Sequence, residues 1–153
     1  MTQILIIEDD APMLQFLEKV IIRDLSDLHP EIEPLETESA FVDWLPLFDS
    51  GKKKRPDVVV IDVMLRWTNP HPEQPERPPD VIEGGFMRAG LRCLERIRAN
   101  PKLIFSRVIL FTVLTKEDLN ALGANMEGVD FLPKTDGNLI CNQIRAALGR
   151  SRN

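Results

Sequence analysis

The chain has 153 residues, a formal net charge of −5 and two cysteines. That length suits one domain with a real core that needs neither metal nor disulfide staples. The acidic balance argues against a binder of phosphate backbones, which normally presents a strongly basic face.

The amino terminus, MTQILIIEDD, meets acids after a few apolar residues and has no basic leader or cleavage site. No apolar run approaches the ~20 residues that cross a bilayer, and the two cysteines, read as reduced thiols, fit a cytoplasmic protein. Ile4 to Ile7 form a continuous apolar run, the pattern of a strand buried on both faces, closed by Glu8, Asp9 and Asp10. Asp10 is expected to cap the helix that follows and Pro12 to sit in its first turn. Leu14, Leu17, Val20 and Ile21 recur at helical spacing to about residue 25. Residues 32–38 alternate weakly and suggest an edge strand that tolerates Pro34. Residues 40–48 read as a short helix carrying Phe41, Trp44, Leu45 and Phe48, with Pro46 inside it. The basic run at 52–55 reads as a solvated loop.

The stretch RPDVVVIDVML organises the rest. Val58 to Ile61 are apolar and end in Asp62, which is placed where a buried strand leaves its sheet. A carboxylate there is costly to bury unless something pairs with it, and the carboxyl ends of strands are where open α/β sheets bind ligands. The segment WTNPHPEQPERPPDVIEGG follows, with prolines at 70, 72, 75, 78 and 79. Proline this dense predicts an extended, polyproline-like loop over about 67–85 and no helix. Loops of that length in a compact domain tend to be functional or disordered. The PEQP and PERP pieces suit polyproline recognition, though spacing this short arises easily by chance. Trp67 reads as a cover for the site or an anchor for the loop. His29 and His71, beside prolines, read as exposed loop residues.

Residues 90–98 return to helical spacing, with Leu91, Leu94 and Ile97 on one face and arginines on the other. Val108 to Phe111 are a further buried strand closing on Thr112. Thr115 with Asp118 forms a capping-box-like start for a short helix ending near Gly123. Val129 to Leu132 are the last strand, followed by Pro133 and Lys134, and Asp136 is expected to cap a final helix carrying Leu139, Ile140, Ile144 and Leu148. Cys93 and Cys141 lie far apart without metal-like spacing and read as reduced thiols on helices. Strand and helix thus alternate five times, the pattern of a parallel, doubly wound α/β sheet.

Taken together, the carboxyl ends of four strands supply Glu8 and Asp9, Asp62, Thr112 and Lys134. Three neighbouring carboxylates repel one another, so either one takes a proton or a cation joins them. An all-oxygen acidic cluster selects a hard divalent ion such as Mg²⁺. A lysine and a hydroxyl beside it can bind the other oxygens of a transferring phosphoryl group, with Asp62 as nucleophile.

On these motifs, LIIEDD, VVVIDVML, VILFT and VDFLPK in that order, the chain resembles the receiver domains of two-component response regulators over nearly its whole length. The resemblance implies one receiver domain over 1–153 and a flavodoxin-like (βα)5 sheet of order 2-1-3-4-5, here with a proline-rich insertion after the third strand. It further implies that Glu8, Asp9, Asp62 and the Met64 backbone carbonyl hold Mg²⁺. Asp62 would be the phospho-acceptor, Thr112 the switch hydroxyl, Lys134 the phosphate-binding cation and Phe131 the switch aromatic. The implied partners are a sensor histidine kinase or histidine phosphotransfer protein, an unidentified downstream protein, and a second copy in a phosphorylation-dependent homodimer.

The chain departs from that family in four places, one of them the proline-rich insertion, where the family's loop after the acceptor is short. Arg66 stands where members usually have proline four residues after the acceptor, Val113 replaces a small residue after the switch hydroxyl, and Thr135 replaces the proline that follows the lysine. A non-proline cis bond costs ~3 kcal/mol, so the Lys134–Thr135 bond is expected to be trans. Met64 and Leu114 occupy the positions that in this family help admit and orient the hydrolytic water. Both are apolar, and slow loss of the phosphoryl group is expected. The reading is a stand-alone phospho-acceptor signalling protein rather than an enzyme. Its rivals are a phosphorylation-independent interaction module on the same fold and an aspartate-nucleophile phosphatase. The second lacks its usual acid two residues after the nucleophile, where Met64 stands.

Overall fold

In the computed structural model, which describes residues 1–73 and 76–150, Thr2–Ile7 (β1) pairs in parallel with both Pro30–Leu35 (β2) and Val58–Ile61 (β3). Arg107–Thr112 (β4) pairs with β3, and Val129–Pro133 (β5) pairs with β4. All pairings are parallel, and the order is β2-β1-β3-β4-β5. The strand order read from the sequence holds.

The central strands alternate their side chains between two cores. Leu5, Ile7, Val59, Ile61, Val108 and Leu110 face one side, where they meet Glu38–Asp49 (α2), Ala89–Ala99 (α4) and Lys116–Ala121 (α5). Ile4, Ile6, Val58, Val60, Ile109 and Phe111 face the other, against Ala11–Asp24 (α1) and Ile140–Gly149 (α6). This explains why the runs are continuously apolar: with helices on both faces no position is left for a polar residue. Each such side chain contributes about 1.5–3 kcal/mol when fully buried. The acids that close β1 and β3 are thereby forced to the rim.

Several local expectations are corrected. The proline-rich segment was expected to hold no helix, but Pro79–Gly84 is a short helix (α3), followed by a 3₁₀ turn over Phe86–Arg88. Pro79 occupies the first helical position, where its missing N–H costs nothing, and Val81 is buried beneath it. Residues 36–38 are not strand: β2 ends at Leu35, and Thr37 caps α2, its Oγ1 accepting from the Ala40 N–H at 3.1 Å. The helix runs through Pro46, which lies inside it.

Asp10 sits at the cap position of α1 but its side chain makes no capping bond. Asp136 does not cap α6; it lies inside a 3₁₀ stretch, Lys134–Leu139, that precedes that helix. The capping box of Thr115 and Asp118 is present, and the Lys134–Thr135 bond is trans. Cys93 and Cys141 are free and buried, and burial pushes the Cys93 thiol well up. His29 and His71 are exposed. The PEQP motif includes Gln74 and Pro75, which lie outside the described residues. No described helix is long and apolar enough to cross a membrane.

Candidate functional site

The rim at the carboxyl ends of β1, β3, β4 and β5 gathers the predicted residues. Glu8 and Asp9 leave β1, and Asp62 leaves β3 with its N–H donating to the Ile7 carbonyl at 2.9 Å. One carboxylate oxygen from each of Glu8, Asp9 and Asp62 lies within 4.8 Å of the others. Glu8 is 1 % exposed and Asp62 5 %.

Lys134 reaches in from the end of β5. Its Nζ donates to Asp62 Oδ2 at 2.8 Å and to Glu8 Oε1 at 3.1 Å. Thr112, fully buried, is in register with Pro133, which places Lys134 one residue beyond it. The Thr112 hydroxyl accepts from the Leu114 N–H at 3.3 Å, and the Met64 N–H donates to Asp62 Oδ1 at 3.3 Å.

Electrostatics follow from the crowding. Burial and then the neighbouring charge of Asp62 push the Glu8 carboxyl up to about 7, against the pull of Lys134 and the Asp10 N–H. Burial alone would weaken the Lys134 ammonium, but Asp62 and Glu8 together hold it above its ordinary value. The site therefore keeps its lysine charged and shares its deficit of cations through Glu8.

The donor set suits Mg²⁺. It is all oxygen and offers carboxylates from two strands. The Lys134 ammonium lies 3.1 Å from Glu8 Oε1 and 2.9 Å from Oε2, one cation beside an acid cluster that a hard divalent ion would neutralise further.

Three site features were not foreseen. Arg66 holds Asp9: its backbone N–H donates to Asp9 Oδ2 at 2.9 Å and its Nη2 donates to the Asp9 carbonyl at 2.7 Å. Glu38 and Arg92 form a buried pair, Nε to Oε2 and Nη2 to Oε1 both at 2.7 Å, and Nη2 also donates to the Gly85 carbonyl at 2.8 Å. Gly90 packs directly on the backbone of Asp62 and Val63. The first could have been suspected from the non-proline residue at 66; the other two join residues far apart in sequence and left no local signal.

Trp67 anchors the insertion: its carbonyl accepts from the Ser39 N–H at the start of α2 at 2.8 Å. It also lines a cavity of about 310 Å³ with Arg66, Val81, Phe86 and Arg92. Phe131 is half-buried, beside Val113, Leu114 and Lys134 in an open groove, with the Lys116 ammonium 5.9 Å from its ring centre.

No protein-family model matches the chain, and no curated protein matches it. Solved structures do. The signal receiver domain of a DNA-binding response regulator from Colwellia psychrerythraea 34H is 21 % identical, with a TM-score of 0.64 over 98 % of this chain and 100 % of its own. The receiver domain of a signal transduction histidine kinase from Syntrophus aciditrophicus is 21 % identical, with a TM-score of 0.66 over 100 % of this chain and 95 % of its own. The phosphorylated cyanobacterial phytochrome response regulator RcpA is 16 % identical, with a TM-score of 0.65 over 97 % of this chain and 89 % of its own. The chain has the fold of response regulator receiver domains.

Proposed function

We propose that the protein is a phospho-acceptor receiver that takes a phosphoryl group on Asp62 from a phosphohistidine of a sensor kinase or histidine phosphotransfer protein. The observation that carries this reading is the Lys134 ammonium on Asp62 beside the Glu8, Asp9 and Asp62 oxygens. An Asp62 carboxylate oxygen attacks phosphorus, the phosphorus–nitrogen bond breaks, and the departing imidazole takes a proton. Lys134 shifts from the Asp62 carboxylate to a phosphoryl oxygen, and the Thr112 hydroxyl donates to another. Glu8, Asp9, Asp62 and the Met64 carbonyl are the residues that would hold Mg²⁺, which when bound neutralises charge on the phosphoryl oxygens.

The phosphoryl group adds up to two charges to the rim. The pull on Thr112 and Lys134 biases the face around Phe131 between two arrangements, and output runs through protein contact or onward transfer. Met64 and Leu114 shield the acyl phosphate from water, which makes the phosphorylated state long-lived.

The test is the intact mass of the protein after incubation with acetyl phosphate and Mg²⁺, for the wild type and for Asp62→Asn. A single phosphoryl adduct that requires both Mg²⁺ and Asp62 is expected. No adduct in the wild type, with partner binding unchanged in Asp62→Asn, would favour a phosphorylation-independent interaction module.

A further inference from the structure

The three carboxylates of the rim already have cations, and they come from the chain itself. Lys134 touches Glu8 and Asp62. Asp9 is held by a different residue: the Arg66 N–H donates to Asp9 Oδ2 at 2.9 Å, and Arg66 Nε lies 3.4 Å from the same oxygen. The guanidinium also donates to the Asp9 backbone carbonyl at 2.7 Å, so side chain and main chain of Asp9 are gripped together.

The grip is built into the fold. The Arg66 carbonyl accepts from the Glu38 N–H at 2.9 Å and the Trp67 carbonyl from the Ser39 N–H at 2.8 Å, which fixes the backbone at position 66 against the first turn of α2. The bond from position 66 to Asp9 also requires a residue that has an N–H, which proline lacks.

The guanidinium itself is replaceable. The Arg66 side chain is 49 % exposed and that of Asp9 18 %, and an ion pair at that exposure is weak. A divalent ion is compact and doubly charged, and binds carboxylate oxygen more strongly than a half-solvated guanidinium does.

Resting on the metal-dependent reading above, we propose that Arg66 is an intramolecular competitor for the cation site. Its guanidinium stands at Asp9 Oδ2, and a divalent ion that takes that oxygen displaces it. Arg66 is thus a positioning residue: it holds Asp9 within the acid cluster and sets the Mg²⁺ concentration at which the site fills.

The test is calorimetric titration of Mg²⁺ into the full chain for the wild type, Arg66→Gln, Arg66→Lys and Arg77→Gln. Arg77 is an exposed arginine of the insertion lining the same cavity, so its removal controls for net charge alone. Arg66→Gln is expected to bind Mg²⁺ about fivefold more tightly, Arg66→Lys to fall between it and the wild type, and Arg77→Gln to match the wild type. In the wild type the Arg66 Nε–H resonance should move toward that of a solvated arginine as Mg²⁺ is added. Equal affinity in wild type and Arg66→Gln, or the same gain in Arg77→Gln, overturns the proposal while the metal site stands. Absence of Mg²⁺ binding in wild type and Arg66→Gln alike overturns the metal reading, and the proposal with it.

Discussion

Gly90 lies so close to Asp62 that a Cβ on it would stand 2.2 Å from the Asp62 carbonyl oxygen and 2.6 Å from Val63 Cα. Its own N–H donates to the Val63 carbonyl at 2.8 Å. Both neighbours are backbone, so no flexible side chain can give way. Gly90→Ala is expected to destabilise the fold by about 2 kcal/mol or more and to lower the yield of the Asp62 adduct, as the acceptor loop moves to make room. Thermal unfolding and intact mass check the two effects. A variant as stable and as reactive as the wild type would contradict the contact.

The Glu38–Arg92 pair makes a sharper statement about stability. Both residues are buried, at 1 % and 7 % exposure, so removing one leaves the other charged and unpaired. Arg92→Leu is expected to cost about 3–5 kcal/mol, and Glu38→Met with Arg92→Leu together to cost clearly less. Chemical denaturation of the two single variants and the double variant measures the coupling.

The pH dependence of stability follows from Glu8. Its folded value, up to about 7 from an ordinary 4.5, means that the folded state holds this proton more tightly than the unfolded one. The stability Glu8 contributes is therefore complete below 4.5 and is lost as pH rises through about 7. In metal-free buffer, melting temperature should fall across that window, and Glu8→Gln should flatten the slope. Mg²⁺ binding requires the carboxylate, so its affinity should rise over the same window.

On the proposed reading, the lifetime of phospho-Asp62 depends on the side chains around Asp62. Leu114 is buried and Met64 packs against the core beneath the site, so neither presents a group that can orient water. Met64→Asn is expected to speed loss of the phosphoryl group severalfold, read as decay of the mass adduct after the donor is removed. A wild-type half-life of only seconds would end this explanation.

The sheet and the acid cluster were legible because each apolar run ends on a polar residue of the candidate site: Ile7 on Glu8, Ile61 on Asp62, Phe111 on Thr112. Strand burial on both faces produces that pattern in one dimension. The contacts of Arg92 and Gly90 were not legible, since each depends on a residue dozens of positions away, Glu38 in one case and Asp62 in the other. The helix α3 was hidden by proline density, because a proline at the first helical position reads locally like a breaker. Asp10 and Asp136 show the converse. Both are residue types that favour caps, and the chain uses neither side chain to cap the helix expected of it.

The insertion leaves and rejoins the fold at nearly the same point. The Leu65 N–H donates to the Phe86 carbonyl at 3.2 Å, so some twenty residues of chain depart from and return to a single hydrogen bond. Closing a loop whose ends already meet depends only weakly on its length, about 0.6 kcal/mol per doubling. The stretch between the anchored ends can therefore change in length at little entropic cost, provided the contacts of Arg66 with Asp9, of Trp67 with Ser39 and of Gly85 with Arg92 are kept.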